Sequence, residues 1–248
     1  VPGRRIAEGN TAEIYQTENR VIKVFKPHLP ETEAEKEAQK QRFAFAAGLP
    51  VPEVIDVTPL EGRPAIIMAH AQGKTFGDLF LENRERAEEL LALSIDIQHT
   101  VHSHSAEGLE SMTGRLRRQI EAAHPLSEKQ RTLLLRKLEE MPAGESLCHG
   151  DFHLFNLIQG KQEVTILDWV DASSGSREAD ICRTYLLYLQ YSKDLAAMYL
   201  RLYGEGKGVS REAVLEWLPI LAAARLSEHV PTENEDKLIQ IVHKAYPE

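Results

Sequence analysis

Residues 149–156, His149-Gly150-Asp151-Phe152-His153-Leu154-Phe155-Asn156, followed by Val164-Thr165-Ile166-Leu167-Asp168-Trp169, restrict the possible fold more than any other stretch. Asp151 and Asn156 stand five apart in a loop, and Asp168 closes an apolar, strand-like run twelve residues later. Two carboxylates and an amide on a loop and a hairpin suit one task well. One carboxylate takes a proton from an attacking hydroxyl, while the amide and the other carboxylate hold magnesium on a nucleotide's phosphates. A buried His–Asp pair with a stabilising hairpin turn would carry the same letters, so the rest of the chain has to decide.

The spacing H-x-D-x-x-x-x-N matches the catalytic loop of protein kinases, with Gly150 where they carry Arg. The H-G-D form, followed by Asn and an I-x-D-W segment, resembles the aminoglycoside phosphotransferase family of small-molecule kinases. The resemblance implies Asp151 as catalytic base and Asn156 and Asp168 as magnesium ligands. It also implies a small-molecule acceptor, since the family has D-W where protein kinases have D-F-G.

Composition narrows the alternatives. With 248 residues, 42% of them hydrophobic, the chain can bury a large core in one domain or two lobes. It has no apolar run near the roughly 18 residues that suggest a membrane span. No basic stretch followed by an apolar run opens it. Cys148 and Cys182 do not make a disulfide framework, so a reduced, cytoplasmic setting is expected. Cys148 reads as a small buried hydrophobe rather than a nucleophile. A net charge of −9 argues against nucleic-acid binding and is compatible with a cationic substrate.

Residues 4–25 read as three short strands with turns at 9–12 and 17–20. The first turn keeps Gly9 of a G-x-G-x-x-G pattern, with Ala7 and Ala12 in the outer glycine places. An ordinary hairpin turn and a phosphate-covering loop both fit it; in the second case Gly9, Asn10 and Thr11 are the contacts. Alternation puts Val21, Lys23 and Phe25 on one strand face and Ile22 and Val24 on the other. Lys23 could snorkel to solvent. The V-I-K-V run is similar to the kinase strand whose lysine pairs the α- and β-phosphates.

A helix is expected over residues 31–47, ended by Gly48-Leu49-Pro50. Ala34, Glu37, Ala38, Gln41 and Phe45 share one face, while Glu31, Glu33 and Glu35 look solvated. Glu37 is the candidate partner of Lys23, with Glu33 as runner-up. Gly48-Leu49-Pro50-Val51-Pro52 resembles a family element leading into the fourth strand. Residues 64–73 read as a strand running into a linker. By resemblance this is the interlobe hinge, where Ala69 and Ala71 offer backbone groups to the purine with Met68 nearby.

Helices are expected over residues 84–102, 115–124, 128–140, 177–189, 194–203, 211–228 and 233–245, with the charged faces of the second and third solvated. His99, His102 and His104 lack a completing ligand nearby, which disfavours zinc. His149 is read as fixing the catalytic loop through backbone. His153 either touches substrate or phosphate, or satisfies the loop backbone. Asp180-Ile181-Cys182-Arg183 matches the family's D-x-x-R, a structural pair beside the site. Asp171, Glu178 and Glu228 are unranked candidates for the acceptor pocket, with Asp171 taken as a possible substrate contact.

The expected fold is α+β, bilobal and protein-kinase-like. Residues 1–71 form a nucleotide-binding lobe, a small antiparallel sheet plus one helix. Residues 72–248 form a mainly helical catalytic and substrate lobe, with the hinge at about 68–73. The expected reaction moves the γ-phosphoryl group of ATP or GTP, with Mg²⁺, to a hydroxyl of a small molecule such as an aminoglycoside-like compound, an amino alcohol or a sugar. The thinned glycine loop keeps a nucleotide-binding pseudokinase as the alternative. A protein kinase is disfavoured by the short loop after Asp168 and the missing A-P-E. Neither a membrane nor a nucleic-acid partner is expected.

Overall fold

The computed structural model describes residues 3–9, 11–161, 163–230 and 233–247. In chain order its first elements are strands β1 (Arg4–Glu8), β2 (Ala12–Gln16) and β3 (Arg20–Phe25), helix α1 (Thr32–Ala46), and strands β4 (Val54–Val57) and β5 (Ala65–Ala69). β6 (Lys74–Thr75), α2 (Phe76–Glu82), α3 (Ala87–His102), α4 (Met112–Glu121) and α5 (Glu128–Glu140) follow. Next come β7 (Ser146–Cys148), β8 (Leu157–Gln159), β9 (Val164–Ile166) and β10 (Ser173–Gly175). The chain ends in α6 (Arg177–Tyr191), α7 (Lys193–Lys207), α8 (Arg211–Leu215), α9 (Leu218–Leu226) and α10 (Glu235–Ala245). These elements pack as two compact units, Val1–Leu81 with Phe155–Val170, and Glu82–Leu154 with Asp171–Glu248.

The first unit is built on a five-stranded antiparallel sheet in the order β1-β2-β3-β5-β4. Side chains alternate across β3. Phe25, with Val21, packs on Ala34 and Ala38 of α1 and on Ile66 and Met68 of β5. Ile22 and Val24 join Ala65, Tyr15 and Leu60 in a second cluster. Lys23, opposite Ile14 and Ile66, therefore shares the face that α1 covers. Helix α1 buries Ala34, Glu37, Ala38, Gln41 and Ala44. Phe45 does not belong to this stripe as the sequence pattern suggested: it is 46% exposed. By the helix's last turn the buried face has drifted to the residue before it. A smaller sheet, β6-β8-β9, ends at the segment carrying Asp168.

The second unit is mainly helical, with a two-stranded ribbon of β7 and β10. Tyr188, Tyr199 and Tyr203 meet edge to face in its core. Several helix boundaries differ from the sequence expectation: α7 runs on to Lys207 rather than ending at residue 203, and α2 (Phe76–Glu82) was not expected. The span 211–228 is two helices, because Pro219 lies in the first turn of α9. A proline there has no N–H to give and its ring excludes the carbonyl four residues back, so the helix restarts around it. α4 starts at Met112, where the Ser111 hydroxyl accepts the Gly114 N–H. α3 starts at Ala87, after a short 3₁₀ turn (Arg84–Arg86) capped by Asn83. Among the described residues, no helix is long and apolar enough to cross a membrane.

Candidate functional site

In the first unit the site is assembled from a strand, a helix and a hairpin. Lys23 of β3 donates to Glu37 of α1 at 2.6 Å and to Asp168, just past β9, at 3.1 Å. Lys23 and Glu37 are buried, whereas the Asp168 side chain is 39% exposed. Burial alone would lower the Lys23 pKa, but the Asp168 and Glu37 charges outweigh it and raise it above its ordinary value. The ammonium is therefore charged throughout the working pH range. Glu33, the other candidate, meets Lys36 at 3.8 Å instead. Asn156 is buried, and its carbonyl accepts the Leu167 N–H at 2.8 Å, tying it to the chain one residue before Asp168.

The remaining nucleotide candidates also fall in this unit. The Gly9 N–H bonds the Ala12 carbonyl at 2.8 Å, closing the β1–β2 turn. Thr11 is exposed, and Asn10 lies outside the described residues. Met68 is buried, with the Gln41 amide 3.7 Å from its sulfur. Ala69 gives its N–H to the Glu53 carbonyl at 2.9 Å, and Ala71 is half-buried.

In the second unit the catalytic-loop candidates are organised around a backbone clamp. Gly150 has φ +82°, and a Cβ there would lie 2.5 Å from the Asp171 carbonyl oxygen, so the position requires glycine. Asp180 of α6 accepts the Gly150 N–H at 2.7 Å. Arg183, one turn on, donates Nε to the Gly150 carbonyl at 3.1 Å. Both backbone groups of the residue preceding Asp151 are thus held by the D-x-x-R pair. Buried His149 accepts the Asp151 N–H on Nδ1 at 3.2 Å and meets the Phe152 ring edge-on.

The Asp151 carboxylate lies 3.4 Å from His153 Nε2. Burial would raise its pKa, but the His153 hydrogen bond and charge, with Arg183 and His149, hold it well below the usual carboxylate range. Asp180 is held at about 2: burial opposes this, and His102, the Gly150 N–H and His149 outweigh it. Its second oxygen takes His102 Nε2 at 2.8 Å and the Gln98 amide at 3.1 Å.

The acceptor-pocket candidates separate clearly. Glu228 is engaged by Arg183 at 3.0 Å, by Gln119 at 3.1 Å and by Arg225. Glu178 takes Ser176 and Arg177, both at 2.8 Å. Asp171 is less committed. Arg115 donates to its backbone carbonyl but stands 3.5 Å from its carboxylate. Burial, with Glu228 and Asp151 nearby, raises the Asp171 pKa despite Arg115 and Arg183. Arg115, Asp171, Arg183 and Glu228 line a cavity of about 20 Å³ with Met112 and Leu116 as apolar wall.

Sequence reasoning missed several of these groups. Arg115 was placed on a solvated helix face, yet its side chain is 17% exposed. Its short-range signal was Leu116 and Ile120, buried at helical spacing beside it. His102 bonds Asp180, and with Cys148 the two form a buried group whose candidate ligand atoms lie within 4.8 Å of one another, so an acid and a thiol stand beside His102 where the sequence offered no completing ligand; His104 bonds the Thr100 carbonyl at 2.9 Å. Cys148 is buried, which pushes its thiol pKa up and keeps it protonated.

Comparison with known proteins gives a consistent picture. The model of the phosphotransferase enzyme family matches residues 2–217. Acyl-CoA dehydrogenase family member 11 of Homo sapiens is 26% identical over 199 residues, which are 71% of this chain and 25% of that protein. Its counterpart in Gallus gallus is 30% identical over 191 residues, 66% of this chain and 24% of that protein. The chain spans about a quarter of the length of these curated relatives. A thermostable mutant of aminoglycoside phosphotransferase APH(4)-Ia, solved with ADP and hygromycin B, superposes with a TM-score of 0.72 at 12% identity, covering 99% of this chain and 94% of that one. An aminoglycoside-3'-phosphotransferase of type VIII gives 0.62 at 21% identity, covering 92% of both chains. The likeness shows the fold: kinase-like, α+β, in two lobes.

Proposed function

The chain belongs to the phosphotransferase enzyme family, and from that premise we propose that it moves the γ-phosphoryl group of ATP or GTP to a hydroxyl of a small molecule. The observation that carries this reading is Lys23 bonded to both Glu37 and Asp168. A buried lysine held by two acids from separate elements presents a fixed positive charge to phosphates. Lys23, steadied by Glu37, pairs the α- and β-phosphates. Residues 68–73, which lie within the first unit, are the purine-contacting segment of this reading, with Met68 beside the purine. Since the Ala69 N–H is taken by Glu53, purine contact there falls to the carbonyl, with Ala71 supplying a further backbone group. Gly9 and Thr11, together with Asn10 as the sequence reads it, are the phosphate contacts of this reading.

Asp168 and Asn156 offer a carboxylate and an amide oxygen, hard donors that suit Mg²⁺. These two residues would hold it, and when bound it neutralises charge on the phosphoryl oxygens. Asp151 orients the acceptor hydroxyl and takes its proton. Its depressed pKa makes it a weak base, which suffices because phosphoryl transfer passes through a loose transition state that asks little covalent work of the protein. Asp171 and His153 are the candidate acceptor contacts. The Asp171 carboxylate is less committed to arginines than Glu228, which leaves it to meet a hydroxyl or amino group of an acceptor such as an aminoglycoside-like compound, an amino alcohol or a sugar.

The test is a screen of hydroxyl acceptors reading ADP or GDP release, with Asp151→Asn as blank. Asp151→Ala should retain nucleotide binding and lose about 10²–10⁴-fold in turnover. Equal nucleotide consumption by wild type and variant with every acceptor would remove Asp151 from the chemistry.

A further inference from the structure

Helix α1 reaches the Asp168 segment at a second place. Lys40 lies three residues after Glu37, so the two share a helix face. Its ammonium donates to the Val170 carbonyl at 2.6 Å, two residues beyond Asp168. Asp168 itself has φ +60°. A non-glycine residue persists in that left-handed region where its surroundings fix the chain.

Here the chain is fixed on both sides. Before Asp168, the Ile166 N–H bonds the Pro50 carbonyl and the Leu167 N–H bonds the Asn156 carbonyl, each at 2.8 Å. After it, Trp169 is fully buried, with Nε1 donating to the Ile166 carbonyl at 3.3 Å. Lys40 then holds Val170 from the helix that also carries Glu37. Asp168 is thereby tied to α1 twice, through its side chain by way of Lys23 and through the following backbone by Lys40.

Resting on the reading of Asp168 as a metal ligand, we propose that Lys40 is a positioning residue that fixes the turn bearing Asp168 and so sets affinity for the divalent cation accompanying the nucleotide. A lysine that merely satisfied a carbonyl would affect folding alone. Lys40 is not itself one of the residues offered as metal ligands, which separates its effect from loss of a ligand.

Wild type, Lys40→Met, Lys40→Arg and Asp168→Asn are titrated with Mn²⁺ in the presence of ADP, reading free Mn²⁺ by electron paramagnetic resonance. Metal-free ADP binding and melting temperature are measured alongside. Lys40→Met should weaken Mn²⁺ binding about tenfold, the lower end of what removing a ligand-orienting partner costs. Its metal-free ADP affinity should be unchanged, and Lys40→Arg should recover most of the Mn²⁺ affinity. If Lys40→Met lowers the melting temperature but keeps Mn²⁺ affinity within about twofold of wild type, while Asp168→Asn loses it, the Lys40 proposal falls and the metal reading stands. If Asp168→Asn also binds Mn²⁺ like wild type, the metal role of Asp168 fails and the Lys40 proposal with it.

Discussion

In the first unit Glu37 and Asp168 are held side chain to side chain by one lysine, at 2.6 and 3.1 Å. In the second, the loop before Asp151 is held through its backbone, by Asp180 on the Gly150 N–H and Arg183 on its carbonyl, and the Asp151 carboxylate itself meets His153 at 3.4 Å. The first arrangement makes the functional charges part of the packing. The second separates the two, since the groups that shape the loop are not the group proposed to react. Substitution should therefore damage folding and function together in the first unit and be separable in the second.

Lys23→Met is the severest test of that contrast. It leaves Glu37, 2% exposed, as a buried charge without its ammonium. Breaking a buried pair from one side costs about 3–5 kcal/mol. Urea unfolding should show a loss of that order together with loss of nucleotide binding. Adding Glu37→Leu should restore much of the stability and none of the binding. Asp151→Asn, by contrast, should lower the urea midpoint less than Lys23→Met does, because the Gly150 clamp still shapes the loop. A Lys23→Met protein as stable as wild type would show that the first unit's charges are not part of its packing.

Asp180→Asn probes the clamp and should cost less. The Asp180 carboxyl titrates at about 2, against an ordinary value of 3.8. A depressed carboxyl stabilises the fold above its unfolded value, and that stability is lost as pH falls through the folded one. The contribution at neutral pH is about 2 kcal/mol. Wild-type stability should thus fall between pH 4 and pH 2 more steeply than that of Asp180→Asn, measured by circular dichroism in acid titrations. Parallel curves would mean that Asp180 carries no such term.

The same contrast governs how much could be read from the letters. Alternation along β3 turned Lys23 toward α1, and the α1 stripe contained Glu37, because apolar neighbours mark the buried face on either side of a polar residue. The order of strands and helices followed from similar periodicity. In the second unit the signal fails where burial is achieved by ion pairs. Arg115 looks like a solvent-facing residue on a helix, yet it is largely buried beside Asp171, 56 residues away, and Glu228 is set by Arg183, 45 residues away. Gln98 and His102 meet Asp180 from about 80 residues away, and no local pattern announces that meeting. Pro219 could have divided the 211–228 span, since a proline cannot sit inside a continuous helix without breaking its ladder.

His153→Gln should have the smallest effect and the sharpest meaning. His153 is the leading cause that lowers the Asp151 pKa, by hydrogen bond and by charge. Without it the Asp151 carboxyl should move up toward the usual range. The fraction of Asp151 available as base then falls in acid, so the acidic limb of the turnover profile should shift to higher pH. Near neutrality Asp151 remains ionised in both proteins, and turnover should change by less than about tenfold, well below the loss expected from removing the base itself. Folding should change only by the share of the Asp151 charge interaction that His153 supplies, because the Gly150 clamp and His149 also hold the loop. An unshifted acidic limb with reduced turnover at every pH would instead make His153 a contact of the acceptor or the phosphates, and would show that the Asp151 carboxylate is tuned by Arg183 and His149 alone.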